Sequence, residues 1–172
     1  MYLSHTITSY LGKREVGFEE VTHPRSLSAG ESASKAHVPR HKLVKGVLFC
    51  DDDSYTLAAV PASSQVDLAA LGALLNLPGL ALAGEDELVM MFPDCEIGAV
   101  PALGAPYGVP TVVDVALLME PDLYLEAGDH RRLLHLSGND FRRLMHGVPR
   151  GVISRRTGPL KEARSADPSP YR

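Results

Sequence analysis

The chain reads LVKGVLFC at residues 43–50, DDDS at residues 51–54 and YTLAAV at residues 55–60. Two apolar runs on either side of a short acidic turn predict a β-hairpin. The first run is the strongest strand signal in the sequence, so we predict that it forms the central strand of the fold.

Helices and further strands alternate irregularly on both sides of this hairpin. Capping residues predict helix starts at Ser28, which has Glu31 three residues on, at Asp67 and at Ser137. Hydrophobic periodicity predicts other short helices and strands, at residues 7–11, 18–21, 80–83, 85–92, 111–113, 123–127 and 133–136. This order of elements predicts an α+β domain built around one curved mixed sheet.

Length and composition favour a single domain. With 172 residues the chain is long enough for one domain with its own core and too short for two. No basic segment followed by an apolar run opens the sequence, and Pro78 and Gly79 interrupt the longest apolar stretch, residues 68–82. Cys50 and Cys95 are too few for a disulfide framework or a zinc knuckle. We therefore expect a cytoplasmic protein without a membrane segment.

Charge is distributed unevenly along the chain. Residues 1–136 hold 9 basic and 18 acidic side chains, whereas residues 137–172 hold 8 basic and 3 acidic. From Gly147 onward the chain is polar and contains four prolines, a composition typical of loosely packed segments. We predict a folded domain over residues 1–146 and a basic, proline-containing tail over residues 147–172. This tail either contacts a phosphate backbone or is solvated without a partner.

Common catalytic and metal-binding motifs are missing from the sequence. It contains no GxSxG, P-loop or HExxH motif, which argues against a serine hydrolase, a nucleoside triphosphatase and a zinc protease. His37 and His41 are four residues apart, but Pro39 between them prevents the shared helical face that a metal pair needs. We therefore expect neither a metal nor a cofactor.

Lys45 is a charged residue in the middle of the apolar central strand. In a regular strand Leu43 and Val47 share its side of the pleat. Such a lysine is either an edge residue whose ammonium group reaches water or a charge directed into a cleft. No acidic residue lies close to it on the same strand, so both interpretations stay open.

Two further segments have the composition of a binding site. GAVPALG at residues 98–104 combines glycines, which let a backbone approach a ligand, with a proline that stiffens the loop. EAGDH at residues 126–130 places ionisable groups beyond a glycine turn at the end of a predicted strand. Each has an alternative interpretation, the first as a structural connection and the second as a turn with a surface histidine.

These segments match one protein family in their order and spacing. The matching residues are Val44-Lys45, Leu57-Ala58-Ala59-Val60-Pro61, Val66-Asp67-Leu68, Gly98-x-x-Pro101, Pro110-x-x-Val113-Asp114 and Tyr124-x-x-Ala127-Gly128 with His130. Over about residues 17–146 the chain resembles the YbaK and prolyl-tRNA-synthetase-associated domains, which edit mischarged tRNA. The resemblance implies an α+β fold whose compact mixed curved sheet is barrel-like and wrapped by helices.

The resemblance also implies where the site lies. It places a cleft between the lysine strand and the glycine loop, where the lysine helps to hold the 3′ end of the tRNA and the loop lines the aminoacyl pocket. The residues implied in catalysis are Lys45, Gly98 and His130. Those implied in substrate binding are the same three with Ala99, Val100, Pro101, Gly128 and Asp129.

Two positions depart from the pattern of the family. Many relatives have Pro-Pro where this chain has Pro101-Ala102, a change that loosens the pocket wall. Alanine-specific members resemble one another in having Asn where this chain has Gly46. The resemblance therefore does not assign alanine as the substrate.

The activity implied is hydrolysis of the ester between a small amino acid and the wrong tRNA, with tRNA-Pro as one candidate. An aminoacyl ester is already activated, so positioned water and N–H donors for the oxyanion are the main requirements. Residues 98–103 are candidates for these donors, and His130 for orienting the substrate. The implied partners are mischarged tRNA and, as a second candidate, an aminoacyl-tRNA synthetase. Two other functions stay open: a non-catalytic module that binds a nucleotide or an RNA end, and a domain that regulates a protein partner.

Overall fold

The computed structural model describes residues 3–52 and 54–157. Within them are five α-helices: α1 (His5–Lys13), α2 (Ala29–Lys35), α3 (Leu68–Leu75), α4 (Glu85–Met91) and α5 (Gly138–Leu144). The strands are β1 (Glu19–Thr22), β2 (Leu43–Asp51), β3 (Ser54–Pro61), β4 (Ser64–Val66), β5 (Ala81–Leu82), β6 (Thr111–Asp114), β7 (Asp122–Glu126), β8 (Arg132–Ser137), β9 (Arg150–Gly151) and β10 (Ser154–Arg156). None of the described helices has the length and apolar character that crossing a membrane requires.

The predicted hairpin forms the middle of the main sheet. β2 and β3 pair antiparallel over eight residue pairs, and the acidic turn joins them. The strand order is β1-β8-β7-β2-β3-β6-β9, with β5 also pairing with β2, while β4 and β10 form a separate two-stranded sheet. β2 runs parallel to β7 and β3 parallel to β6, whereas β7 and β8 are antiparallel. The predicted α+β fold with one curved mixed sheet is confirmed.

Side-chain caps start the helices at the predicted residues. Ser28, Asp67 and Ser137 each accept a hydrogen bond from the backbone N–H three residues further on. Each bond satisfies a donor that the first helical turn leaves free. α3 ends at Asn76, whose φ of 55° lies in the left-handed region that stops a helix.

The two faces of the main sheet contribute to separate cores, because successive side chains of a strand point to opposite sides. On one face Val44 packs in a large buried cluster that includes Ala102. On the other face Leu43 packs against Ala33 of α2, and Phe49 packs against the inner side of α3. This division decides which side of β2 each candidate site residue occupies.

Residues 148–157 belong to the fold, so the prediction of a loosely packed tail after His146 is wrong for this stretch. β9 pairs with β6 and β10 pairs with β4. Between these strands Ile153 is 1% exposed, and its N–H donates to Oδ2 of Asp114 at 3.0 Å. The partners are 39 residues apart in sequence, so no local pattern indicates the contact. The rest of the predicted tail, residues 158–172, lies outside the described residues.

Candidate active site

The main sheet opens at the point where β7 ends. β7 pairs with β2 at residues 43 and 44 of β2, and β5 joins the same edge at residues 49 and 50. Between them, no strand of the described chain pairs with residues 45–48 on this edge. The glycine loop after α4 and the turn after β7 both lie at this opening, which makes it the candidate site.

Gly98 and His130 meet at the opening. Gly98 is exposed and has a φ of +85°, a left-handed conformation that side chains other than glycine rarely adopt. A Cβ atom at this position would lie 3.1 Å from Cε1 of His130 and 3.5 Å from the carbonyl oxygen of Leu27. Any side chain at residue 98 would therefore occupy the space in front of the histidine ring.

The contacts of His130 fix the position of its proton. Its Nε2 lies 2.6 Å from the carbonyl oxygen of Ile97. Because a carbonyl only accepts, Nε2 carries the hydrogen and Nδ1 is left with a lone pair. The residue is 4% exposed with a φ of +55°, and its buried Nδ1 has no hydrogen-bond partner among the described residues. The ring of His130 is thus held in one orientation by its Nε2 contact, with Nδ1 unpaired.

The glycine loop carries backbone N–H groups that have no acceptor within the described chain. The N–H of Ala99 donates to the carbonyl of Glu96 at 3.1 Å, which removes it from the predicted set of oxyanion donors. Within the described chain, no acceptor faces the N–H groups of Gly98 and Val100. Ala99, Val100 and Pro101 are themselves buried, so they contribute backbone rather than exposed side chains.

Further along, the loop lies directly on β2. A Cβ atom at Gly46 would come within 3.3 Å of Cα of Ala102. The two departures from the family pattern, at Gly46 and Ala102, are therefore in contact with each other. No cleft separates strand and loop at this point.

Gly128 and Asp129 shape the turn that holds His130. Gly128 has a φ of +97°, and a Cβ atom there would lie 3.2 Å from both Sγ of Cys95 and Cβ of Ser4. The Asp129 side chain is fully buried and forms a 2.7 Å ion pair with Arg132. Both residues, predicted as substrate-binding, face protein groups instead of Gly98.

Lys45 lies on the opposite face of β2 from Ala102. It is half-buried, and its Nζ donates to the carbonyl oxygen of Ser64 at 2.7 Å. Burial lowers the pKa of this ammonium group. The structure therefore brings Gly98 and His130 together and leaves Lys45 at the same opening of the sheet but turned away from them.

Glu126 is a candidate residue to which the sequence assigned no role. It is the last residue of β7 and follows the last β2–β7 residue pair. Its side chain is 1% exposed, and neither carboxylate oxygen has a hydrogen-bond partner among the described residues. Burial raises the pKa of Glu126 to about 7; the Ser32 hydroxyl opposes this shift and the charge of Asp129 adds to it. In the sequence, Glu126 is distinguished only by its position at the end of an apolar strand.

The segment before α2 covers the turn after β7. The N–H of Ser26 donates to the carbonyl of His130 at 3.0 Å, and the Ser26 and Ser32 hydroxyls are 2.7 Å apart. Arg25 forms an ion pair of 2.5 Å with Glu96, while the Leu27 side chain is 78% exposed.

No group of three or more His, Cys, Asp or Glu side chains in the described chain could hold a metal ion.

The loop behind Gly98 is held by a buried polar network. Ser4, the cap of α1, donates to Asp94 at 2.8 Å, and the Tyr107 hydroxyl donates to the same carboxylate at 2.8 Å. Burial disfavours ionisation of Asp94, but these donors together with the Thr6 N–H outweigh it and lower its pKa to about 2. The network fixes the start of α1 against the loop that leads to Gly98.

A family model describes most of this chain. The aminoacyl-tRNA editing domain matches residues 23–144. The matched region contains the hairpin, the Gly98 loop, Glu126 and His130, and so includes every residue of the candidate site.

Solved structures share the fold. The hypothetical protein APE2540 superposes with a TM-score of 0.77 at 20% identity, over 88% of this chain and 100% of that chain. A candidate trans-editing enzyme for prolyl tRNA synthetase superposes with a TM-score of 0.74 at 24% identity, over 91% and 100%. A candidate signal transduction protein from Marinobacter aquaeolei VT8 gives 0.70 at 26% identity, over 89% of this chain and 31% of that chain. No curated protein matches the chain.

Proposed function

Because the chain belongs to the aminoacyl-tRNA editing domain family, we propose that it hydrolyses the ester of mischarged tRNA carrying a small amino acid. The observation that supports this most directly is the contact between Gly98 and His130 at the opening of the sheet. There a backbone that only glycine readily forms meets a histidine whose Nδ1 has no hydrogen-bond partner in the described chain. The structure described as a trans-editing enzyme for prolyl tRNA synthetase makes tRNA-Pro one candidate substrate.

In the proposed reaction the residues position groups and stabilise charge. Water adds to the ester carbonyl, and the N–H groups of Gly98 and Val100 donate to the oxyanion that forms. The lone pair on Nδ1 of His130 accepts a hydrogen bond from the water or from the neighbouring ribose hydroxyl and orients it. The bond from the carbonyl carbon to the ribose oxygen then breaks, and that oxygen takes up the proton that the attacking water releases, which leaves the free amino acid and the terminal ribose hydroxyl.

Editing of this kind corrects errors that a synthetase cannot avoid by selective binding alone. A missing methylene group changes binding by only about 1–3 kcal/mol, so a synthetase cannot exclude smaller amino acids by shape alone. A second site that admits only small side chains corrects the error. In this chain the buried Ala99 and Val100 contribute backbone to the site, and the space in front of Gly98, where a Cβ atom would lie 3.1 Å from His130, limits the size of the aminoacyl side chain.

We assign Lys45 to the ribose or a terminal phosphate of the tRNA. Its ammonium group is held by one backbone carbonyl and forms no ion pair in the described chain. A lysine side chain has enough freedom to swing from Ser64 towards a phosphate at the opening of the sheet. Its charge has no protein carboxylate to neutralise, which favours a binding role over a structural one.

The function and the role of Lys45 are tested by one deacylation experiment. Purified protein is incubated with a panel of mischarged tRNAs, and single-turnover hydrolysis is followed for the native chain and for Lys45→Met. We expect hydrolysis of small aminoacyl esters and a loss of roughly 10- to 100-fold in Lys45→Met, which removes a charged contact. The variant should melt within about 4 °C of the native chain, because it loses one hydrogen bond to Ser64 and relieves a buried charge.

Other outcomes of this experiment identify the alternatives. Tight binding of every charged tRNA without hydrolysis would favour a module that holds an RNA end. Absence of both binding and hydrolysis would favour a regulatory protein domain. Normal turnover by Lys45→Met, or a melting temperature far below that of the native chain, would return Lys45 to a structural role.

A basic surface of the protein between α1 and α5 is available to bind the body of the tRNA. This basic groove has a volume of about 730 Å³ and is lined in part by Arg14, Arg142 and Arg143. Arg14 lies over the Tyr10 ring, 5.2 Å from its centroid, and Arg142 donates to neutral acceptors. Neither forms an ion pair within the described chain. α1 leads from the site to this groove over about 14 Å, a span that a few single-stranded nucleotides cover.

We expect Arg14→Gln and Arg142→Gln to weaken tRNA binding and its dependence on salt. Each lost phosphate contact should lower the slope of log Kd against log salt concentration by about 0.7–0.9. Binding is measured by filter retention between about 50 and 200 mM salt, with Arg155→Gln as the control. Arg155 is exposed but paired with Asp67 at 2.6 Å. If the control variant alone weakens binding, the C-terminal strand is the tRNA contact and the groove is not.

A further inference from the structure

Four buried side-chain atoms in the described chain have no hydrogen-bond partner, and all lie close to one turn. They are Nε2 of His23, both carboxylate oxygens of Glu126 and Nδ1 of His130. Glu126 and His130 flank the turn after β7, and the N–H of His23 donates to the neighbouring carbonyl of Arg131 at 2.9 Å. Buried polar atoms are normally satisfied, so such a group at a candidate site points to a ligand.

All four atoms are acceptors. Nε2 of His130 donates to the carbonyl of Ile97, so its Nδ1 holds a lone pair. Nδ1 of His23 lies 2.8 Å from the carbonyl of Pro24 and must donate to it, so its Nε2 also holds a lone pair. An ionised Glu126 only accepts. The partner that these four atoms lack is therefore a group with several hydrogen-bond donors.

Nearby protein cations do not fill this role. Arg132 is paired with Asp129 at 2.7 Å. Lys45 follows the last β2–β7 residue pair on β2, but its ammonium group donates to Ser64. The hydroxyls of Ser26 and Ser32 are bonded to each other. The carboxylate of Glu126 thus has the Ser32 hydroxyl beside it, but no protein cation is bonded to it in the described chain.

We propose that Glu126 binds the α-ammonium group of the aminoacyl ester, an inference that rests on the proposed function. A primary ammonium group is the one part of the aminoacyl end that carries a positive charge, and its three N–H donors suit a site made of acceptors. Glu126 takes one or two of these donors, while Nδ1 of His130 stays available to orient the water or the ribose hydroxyl. The ester carbonyl is then directed towards the Gly98 loop.

Access to Glu126 requires displacement of the segment that covers it. Residues 25–28 lie over the turn after β7, held by Ser26 to the carbonyl of His130. The carbonyl oxygen of Leu27 lies 3.5 Å from the position that a Cβ atom at Gly98 would take, and the Leu27 side chain is exposed. A substrate that enters at Gly98 therefore meets this segment first and reaches Glu126 beneath it.

Binding of the α-ammonium group by Glu126 would affect which esters the enzyme hydrolyses. Esters without a free α-ammonium group, such as N-acetylated aminoacyl-tRNA or α-hydroxyacyl-tRNA, would leave Glu126 unpaired in a buried site. Glu126 is already buried and unpaired in the free protein, so these esters gain nothing from it, whereas an ammonium group pairs with it and binds more tightly. The enzyme is therefore expected to hydrolyse N-acetylated aminoacyl-tRNA and α-hydroxyacyl-tRNA more slowly than aminoacyl-tRNA, even when the side chain is small enough for the pocket.

The test compares alanyl-tRNA with lactyl-tRNA, its counterpart with a hydroxyl in place of the ammonium group. Single-turnover rates are measured at limiting substrate for the native chain, Glu126→Gln and Glu126→Met. We expect the native chain to prefer alanyl-tRNA by roughly 10- to 100-fold, the range for a hydrogen bond to a charged group. Both variants should lose this preference by slowing on alanyl-tRNA and not on lactyl-tRNA. Equal rates on the two esters in the native chain, or equal slowing on both in the variants, would overturn the proposal.

A binding measurement separates this inference from the proposed function. Calorimetry is performed with the uncleavable amide 3′-alanylamino-adenosine and with its lactyl counterpart. Tighter binding of the alanyl amide that vanishes in Glu126→Gln supports the ammonium site even if no ester is hydrolysed. Equal binding of both amides to the native chain rejects the site even if hydrolysis occurs. Glu126→Met, which keeps the side-chain volume, serves if Glu126→Gln does not fold.

Discussion

Gly98→Val is expected to abolish deacylation while the protein remains folded. The new side chain starts 3.1 Å from Cε1 of His130 and fills the space that the ester must occupy. A displacement of about 1 Å at a reacting centre is enough to slow a reaction about 100-fold, so we expect at least that loss in single-turnover rate. The left-handed φ of +85° adds strain of about 1–3 kcal/mol in an exposed loop, which lowers the melting temperature without unfolding the domain.

Gly108→Val is the matched control for this variant. Gly108 has a φ of +69°, similar to that of Gly98, but a Cβ atom there would meet nothing within 4 Å. Both variants should therefore show a comparable loss in melting temperature, and only Gly98→Val should lose activity. Retention of native turnover by Gly98→Val would mean that the loop does not line the pocket. Equal loss of activity in both variants would assign the effect to strain.

Asp114→Ala is expected to destabilise the fold strongly. Its side chain is 2% exposed and joins β6 to the C-terminal segment. Oδ2 accepts from the N–H of Ile153 at 3.0 Å and from the Ser154 hydroxyl at 2.8 Å, while Oδ1 accepts from the N–H of Ala116 at 2.9 Å. Alanine leaves these donors without a partner, a loss of about 3–5 kcal/mol. The melting temperature should fall by about 10 °C.

Two comparisons define the origin of this loss. Asp114→Asn keeps one carbonyl oxygen as an acceptor and should fall between the native chain and Asp114→Ala in a thermal melt. Truncation after His146, which removes β9, Ile153 and β10 together, should destabilise at least as much as Asp114→Ala, whereas truncation after Thr157 keeps every described contact. A chain that ends at His146 and melts like the native protein would show that the C-terminal strands are dispensable.

Local sequence patterns predicted the parts of this fold that depend on local interactions. The hairpin, β2 with β3, and the caps Ser28, Asp67 and Ser137 were found because their signals lie within a few residues. β9 and β10 were missed because they are two and three residues long and depend on a distant aspartate. A polar stretch with prolines indicates disorder until such a partner is known.

The candidate site was predictable in part for a similar reason. Gly98 and His130 belong to separate segments that a family resemblance joins, and the structure places them in contact. The sequence could not indicate that Gly128 faces Cys95, or that Asp129 forms an ion pair with Arg132. Both facts depend on how the turn after β7 folds back. Glu126 was overlooked because the pattern of a strand does not show whether its last carboxylate is satisfied.

The contact of Gly46 with Ala102 couples the two positions at which this chain departs from the family pattern. An asparagine at residue 46 needs room that Ala102 occupies at 3.3 Å, so this replacement alone would push the loop off β2. A proline at residue 102 would in turn alter the backbone that rests on Gly46. Neighbouring positions of this kind show strongly non-additive effects. A lineage moving between the two states would therefore pass through an intermediate of reduced fitness, unless both residues changed together or a third substitution came first.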